Sequence, residues 1–330
     1  MIFNFFVMVS QNELIQLTRL VTGANRILVG SHANCGDATG SVTALALVLR
    51  NLDKVVTVFL PEPVAASFKF LPGTESVIND SAQIDFKKYD LYLSVDAAEP
   101  KLTGLADKFN ERPSSLITVN FDHHHTNTGY GDINIVDRQA SATCAMVYEW
   151  LTSAGWPIDR QVATCLLTGI LTDTGTFSNP ATNDTALKAA ADLLARGANA
   201  SRALRQVIGN RTLTELKLWG RSFERLHDYP DLGLVVTVIT QKDLAEFDAS
   251  EDMLEGVANF LNDLEGYRAV LVLKEKPDGT VKGSLRTTRD DVDVAAVAKL
   301  FGGGGHKKAA GFSVPGKLVE TEQGWKIVNS

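Results

Sequence analysis

Four short apolar runs constrain this chain more than anything else in it: Arg26–Gly30, Val55–Leu60, Tyr89–Val95 and Leu116–Phe121. Each is too short for a helix and too continuous for a strand with one wet face, so each reads as a strand covered on both sides. Between and around them lie stretches with helical spacing. Gln11–Thr22 carries Leu14, Ile15, Leu17, Leu20 and Val21 on one face, and Gly40–Leu49 is small and apolar throughout. Pro61 and Pro63 stop the second run. Strands that alternate with helices pair in parallel, so the expectation is an α/β fold built on a largely parallel sheet.

The pattern then changes. Ala140–Ala154, Ile158–Leu171 and Asn183–Arg196 read as three successive helices, with Gly155, Pro157 and Gly197 as stops. Leu213–Leu226 reads as a helical connector. Beyond it, Leu232–Thr240, Tyr267–Lys274 and Thr280–Arg286 read as strands, with helices at Met253–Leu261 and Val292–Leu300 and a hairpin turn at Pro277-Asp278-Gly279. With 330 residues, 45% of them hydrophobic, the chain is long enough for two cores. The expected division is a first domain over residues 1–205, a helical linker over 206–230, and a smaller α/β domain over 231–330.

Polar residues of one kind gather just past the apolar runs. His32 and Asp37 follow the first, Asp96 ends the third, and Asp122-His123-His124-His125 closes the fourth; Asp173 ends the segment CLLTGIL. In an open α/β sheet, functional groups collect beyond the carboxyl ends of the strands, so residues far apart in sequence meet at one rim. Aspartates with histidines suit borderline divalent cations such as manganese, iron or zinc, and two such ions a few ångströms apart serve phosphoryl chemistry. Asp132 and Asp137 read as turn or cap residues, Cys144 and Cys165 as core, and His227 as structural.

A second feature is FGGGGHKKAAG, residues 301–311. Glycines allow close backbone approach, successive N–H groups form anion nests, and His306, Lys307 and Lys308 add positive charge beside Gly302, Gly303, Gly304 and Gly305. Upstream, Arg286 is a bidentate phosphate donor, with Arg289 close in sequence.

The remaining composition excludes several classes. A net charge of −7 disfavours binding to long duplex DNA by counterion release. Three cysteines without knuckle spacing indicate a reducing compartment and a cytoplasmic location. The segment MIFNFFVMV is too short for a membrane span and lacks the flanks of a signal peptide, which leaves a packing strand or a loose extension.

Taken together, SHANCGDATGS, VDAAEP, FDHHHTNTGYGDINIVD, GILTDTGTF and GGGGHKKAAG resemble the DHH family of phosphoesterases, within it the bacterial oligoribonuclease and 3′-phosphoadenosine-5′-phosphate phosphatase group, over residues 12–325. The resemblance implies a parallel-sheet catalytic domain, a smaller substrate-binding domain with a glycine-rich loop, and a homodimer. It implies two manganese ions, other divalent ions being open: His32 on the first, Asp37, His123 and Asp173 on the second, and Asp96 bridging both. It implies that His124 contacts the scissile phosphate and that Asp122 orients a ligand histidine. Arg286, His306 and Gly302–Gly305 would hold the substrate's terminal phosphate. Substrates would be short 5′-phosphorylated oligonucleotides and the nucleotide bisphosphate.

The chain departs from the family at HANCGD. One position is missing, and Cys35 stands where a proline and an aspartate usually do, so the first metal lacks a carboxylate. Four readings stay open: Cys35 ligates and favours zinc or iron; water fills the place and the first site is weak; turnover is lost and nucleotide binding or sensing is kept; or Cys35 packs and the site rearranges. A cyclic-dinucleotide phosphodiesterase is the other enzymatic alternative.

Overall fold

The computed structural model describes residues 10–33, 35–208, 212–254, 256–262, 264–321 and 324–328. The apolar stretch 1–9, expected as a strand or an extension, lies outside the described residues. The chain forms two compact units, residues 1–210 and 211–330.

The first unit opens with α1 (Gln11–Gly23), started by a capping box in which Ser10 and Glu13 satisfy each other's backbone N–H groups. Then come β1 (Arg26–Gly30), α2 (Gly36–Asn51), β2 (Val55–Phe59), β3 (Val77–Ile78), β4 (Leu91–Val95), a single turn α3 (Ala106–Phe109), β5 (Ile117–Asp122) and β6 (Ile133–Val136). Four helices follow: α4 (Thr143–Ser153), α5 (Arg160–Asp173), α6 (Asp184–Ala195) and α7 (Ala200–Ile208). The six strands pair in parallel in the order β3-β2-β1-β4-β5-β6. The order reverses between β1 and β4, and a crevice opens at the carboxyl ends of strands at such a point. Register places Gly30 beside Ser94, so the residues that follow, Ser31-His32 and Val95-Asp96, emerge together.

Two differences from the sequence expectation matter for the site. The strand β6 runs through what reads as a loop, because Ile133 and Ile135 pair onto β5. And α2 starts at Gly36, one turn earlier than its apolar run. Gly36 and Gly40 are poor helix formers in isolation, but the buried helix needs small residues where it packs against α5. A Cβ on Gly40 would lie 2.6 Å from the Cys165 carbonyl oxygen. The core is continuous from α1 through the sheet to α5; Trp150, 1% exposed, packs on Phe121 and donates from its indole to Thr18 Oγ1 at 3.0 Å.

The second unit contains α8 (Leu213–Glu224), β7 (His227–Tyr229), β8 (Leu234–Ile239), α9 (Gln241–Glu246), α10 (Val257–Leu261), β9 (Ala269–Glu275), β10 (Thr280–Arg286), α11 (Val294–Leu300), β11 (Gly304–His306), β12 (Ala309–Pro315) and the hairpin β13 (Lys317–Thr321) and β14 (Gly324–Val328). Its sheet is mixed, ordered β11-β12-β10-β9-β8-β7, with only β8 and β9 parallel. Gly279, at φ 78°, makes the β9–β10 turn. The helix expected at Met253–Leu261 is interrupted: a 3-10 turn over Glu251–Leu254 precedes α10. Among the described residues no helix is long and apolar enough to cross a membrane.

Candidate metal centre

Five segments of the first unit converge beyond the β1 and β4 ends. His32 follows β1, and its Nε2 lies 3.2 Å from Asp96 Oδ2. Asp96 follows β4 and is 1% exposed; its backbone takes the left-handed conformation, φ 55°, which costs energy for a residue with a Cβ. That turn aims its carboxylate into the crevice, where Thr143 Oγ1 donates to Oδ1 at 2.9 Å. Asp37, in the first turn of α2, is fully buried. Its Oδ2 accepts from Thr143 N at 2.6 Å and its Oδ1 from Cys144 N at 2.8 Å. The amino end of α4 therefore holds Asp37, as helix N-termini hold anions.

His123 and Asp173 close the group. His123 Nε2 stands 3.1 Å from Asp173 Oδ2, 3.6 Å from Asp96 Oδ1 and 3.9 Å from Asp37 Oδ2. Its Nδ1 faces the Ala140 carbonyl oxygen at 3.2 Å, which accepts only, so Nδ1 carries a proton and Nε2 is the ligating atom. The same logic applies to His32, whose Nδ1 lies 3.0 Å from the Ala33 carbonyl oxygen. Asp173 ends α5, and α5 reaches Asp37 because of Gly169: a Cβ there would sit 2.3 Å from Cys144 Sγ and 2.6 Å from Asp37 Oδ1.

Donor atoms lie within 4.8 Å of one another in three groups: His32, Cys35 and Asp96; Asp96, His123 and His124; and Asp37, His123 and Asp173. In the second group, His124 Nδ1 is already bound to Asp122 Oδ1 at 2.8 Å, so His124 has only Nε2 to offer. The ring that Asp122 orients is thus His124, while His123 is oriented by the Ala140 carbonyl. His125 is exposed and outside the groups.

The residues fit divalent cations. His123 Nε2 is buried and meets no acceptor in hydrogen-bonding geometry. Among the described residues, Asp37, Asp96, Asp122 and Asp173 form ion pairs with histidines and with no lysine or arginine. Burial, then the charges of Asp96 and Asp173, push the Asp37 carboxyl well above its usual range. Burial works to lower the His123 pKa, but Asp173, Asp37 and Asp96 outweigh it and carry it to about 10. Charge crowding of this kind is what a bound cation relieves.

Around Asp122 the polar contacts are complete. It is fully buried, accepts from His123 N at 2.8 Å and from Asn127 Nδ2, and is held below the usual carboxylate range, against burial, by His124 and Asn127. Its contact is in turn the leading cause that raises the His124 pKa. Thr143 and Asn127 escape a reading of sequence because neither is an ionisable residue. Asn127 has one signal, its place four residues after His123; Thr143 has none. Asp137 acts as a turn residue, accepting from Gln139 N two positions on, whereas Asp132 makes long-range contacts instead, accepting from Thr118 N at the start of β5 and pairing with Arg112. Cys144 and Cys165 are buried.

In the second unit, Arg286 donates from Nε to Asn259 Oδ1 and from Nη1 to the Leu285 carbonyl oxygen, both at 2.9 Å. It lines a cavity of about 430 Å³ with Lys274, Lys282, Ser284 and Glu251, the last paired with Lys274 at 3.2 Å. Lys282, Ser284 and Arg286 alternate along β10 and so share a face, a period-two signal present in the sequence. Register sets Arg286 opposite Ala309 and Ala309 opposite His306, so the two side chains flank Ala309 roughly 10 Å apart, two strand spacings. The glycine run differs from its expectation. Gly302 N and Gly303 N donate to the carbonyls of Lys299 and Ala298, ending α11, and Gly304–His306 is strand. Two of the N–H groups expected to form an anion nest are therefore spent. Lys308 pairs with Asp290 and Arg289 with Asp291.

Residues 26–170 match the model of the DHH family N-terminal domain, and residues 231–324 match the DHHA1 domain. The chain is 30% identical over 304 residues to the bifunctional oligoribonuclease and PAP phosphatase NrnA of Thermus thermophilus, covering 92% of this chain and 87% of that one. Its fold is similar to that of an exopolyphosphatase-related protein from Bacteroides fragilis, with a TM-score of 0.85 at 24% identity over 95% of this chain and 94% of that one. It is also similar to the manganese complex of RecJ from Thermus thermophilus, with a TM-score of 0.52 at 14% identity over 94% of this chain and 53% of RecJ.

Proposed function

The chain belongs to the DHH family of phosphoesterases, and from that premise we propose that it hydrolyses short 5′-phosphorylated oligonucleotides to mononucleotides and removes the 3′-phosphate of 3′-phosphoadenosine-5′-phosphate. The observation that carries the reading is the convergence of Asp37, Asp96 and Asp173 on His123 Nε2, which lies 3.1–3.9 Å from an oxygen of each of the three carboxylates. The name of the Thermus thermophilus relative supplies the substrates, and the manganese of RecJ supports that metal.

Divalent cations held by His32 and Asp96 and by Asp37, Asp96, His123 and Asp173 would supply Lewis acidity toward a phosphoryl oxygen and make a water acidic enough to react near neutral pH. The chain's own residues do the rest. Thr143 and the amino end of α4 hold Asp96 and Asp37 in place, so little reorganises as charge moves. His124, tied through Nδ1 to Asp122 and with its pKa raised, presents Nε2–H to a phosphoryl oxygen as the phosphorus takes on the incoming water oxygen. The ester P–O bond then breaks, and the leaving oxygen departs as an alcohol, taking up the proton that the attacking water gives up. Arg286, with Lys282 and Ser284 beside it in the same cavity, binds the terminal phosphate together with His306 across Ala309, while Lys274 is held by Glu251.

The test is release of mononucleotides from a 5′-phosphorylated dinucleotide, with manganese titrated and Asp173→Ala and His123→Ala run beside the wild type. Metal-dependent release that both substitutions abolish is the expected result. No release above the variants at any manganese concentration, with the bisphosphate also intact, would overturn the reading in favour of a nucleotide-binding protein without turnover.

A further inference from the structure

One donor at the metal centre is unlike the rest. Cys35 is the N-cap residue of α2 in position, at φ −119° and ψ 143°, yet its side chain makes no capping hydrogen bond. Its Sγ lies 3.9 Å from Asp173 Oδ1, the outer limit for a sulfur contact. The thiol is thus not used to hold the helix. Nor is its position loose. The next residue is Gly36, and a Cβ there would lie 2.4 Å from Thr172 Cγ2 and 2.9 Å from the Phe68 ring, so the backbone carrying Cys35 is wedged between α5 and Phe68. From that fixed place Sγ falls within 4.8 Å of a donor atom of His32 and one of Asp96.

We propose that Cys35 ligates a cation together with His32 and Asp96, that this nitrogen–sulfur–oxygen site selects a thiophilic borderline cation of the zinc, iron(II) or cobalt(II) class over manganese, and that it stands beside an all-nitrogen-and-oxygen group of Asp37, His123 and Asp173. The inference rests on the reading that this crevice holds cations; it adds which ones. Softer thiolate donors favour zinc and iron, whereas carboxylates and water suit manganese. As the metal–sulfur bond forms, the thiol proton leaves to solvent, so the neutral thiol becomes the thiolate ligand without any change of redox state. A chain with two unlike groups would load two different metals rather than two manganese ions.

The experiment is a cobalt(II) titration of the full, metal-stripped chain under reducing conditions, read by absorption. A thiolate-to-cobalt charge-transfer band in the near ultraviolet is expected in the wild type and is expected to vanish in Cys35→Ser, while cobalt still binds the second group. Competition follows, zinc against manganese: wild type is expected to prefer zinc by at least about tenfold more than Cys35→Asp does. Alkylation of the wild type by iodoacetamide, mapped to Cys35 by mass spectrometry, supplies a readout that needs no variant; saturating zinc is expected to slow it about tenfold or more. Cobalt bound with no charge-transfer band, or Cys35 alkylated at an undiminished rate under zinc, overturns Cys35 ligation and leaves the cation-binding reading standing. Failure of wild type to bind cobalt, zinc or manganese overturns both.

Discussion

Substituting Gly169 by alanine tests whether the helix contact beneath the site sets its geometry. Gly169 lies inside α5, where alanine is intrinsically better than glycine by about 1 kcal/mol. Here its Cβ would enter space already held, 2.3 Å from Cys144 Sγ, 2.9 Å from Cys144 Cβ and 2.6 Å from Asp37 Oδ1. Ordinary contact begins near 3.4 Å, so α5 would have to recede by roughly 1 Å. Neither neighbour has an easy way out: Cys144 is fully buried, and both oxygens of Asp37 are tied to the backbone of α4. Overpacking of this sort costs about 1–3 kcal/mol, and the upper end is expected, leaving a net loss near 2 kcal/mol after the helix gain. Asp37 and Asp173 would separate, and manganese affinity at their group is expected to fall by about tenfold or more. Gly220→Ala is the control. Gly220 is exposed on α8 with nothing within 4 Å of its would-be Cβ, so it should gain up to about 1 kcal/mol and leave metal binding alone. Urea denaturation followed by circular dichroism and calorimetric manganese titration measure the two effects. A Gly169→Ala protein as stable as wild type and with unchanged manganese affinity would refute the reasoning.

Asp122→Asn keeps the size of the side chain but removes the charge that orients His124 and raises its pKa. Turnover should fall about 10–100-fold while manganese affinity, measured separately by calorimetry, stays near wild type; equal losses in both would place Asp122 with the metal instead. Arg286→Ala should raise KM for the dinucleotide and leave kcat nearly unchanged, and an effect on kcat alone would move Arg286 to the transition state. Asp243 in the second unit is buried and meets Arg221 and Arg225 as well as Thr240. Burial alone would raise its pKa, but Thr240 and Arg225 outweigh that and hold it below the ordinary value. A depressed carboxylate contributes stability that is present above the ordinary value and lost as pH falls through the folded one. Asp243→Asn should therefore cost the second unit about 3 kcal/mol near neutral pH and flatten its acid limb below about pH 4, and an unchanged acid limb in urea melts would exclude the pairing as its source.

How far such residues are legible in the sequence depends on what makes them what they are. The strand β1 is read to the residue because a run buried on both faces owes its apolar character to the sheet alone. The true start of α2 is hidden, since its glycines are chosen by the approach of α5, and that contact exists only after folding. The site divides the same way. Asp37, Asp96, His123 and Asp173 stand out because a charged group just past an apolar run has few reasons to be there. Thr143 does not, although it touches both Asp37 and Asp96; its role comes from standing at the first turn of α4, 106 positions from Asp37. Alternation of strands and helices implies parallel pairing but leaves strand order open, and the order matters most. Only because β4 lies next to β1 do His32 and Asp96, 64 positions apart, come within 3.2 Å. The chemistry of the crevice is thus written in residue types that sequence displays openly, while its geometry is written in packing. A substitution at a silent packing residue such as Gly169 should for that reason disturb the centre as surely as one at a ligand.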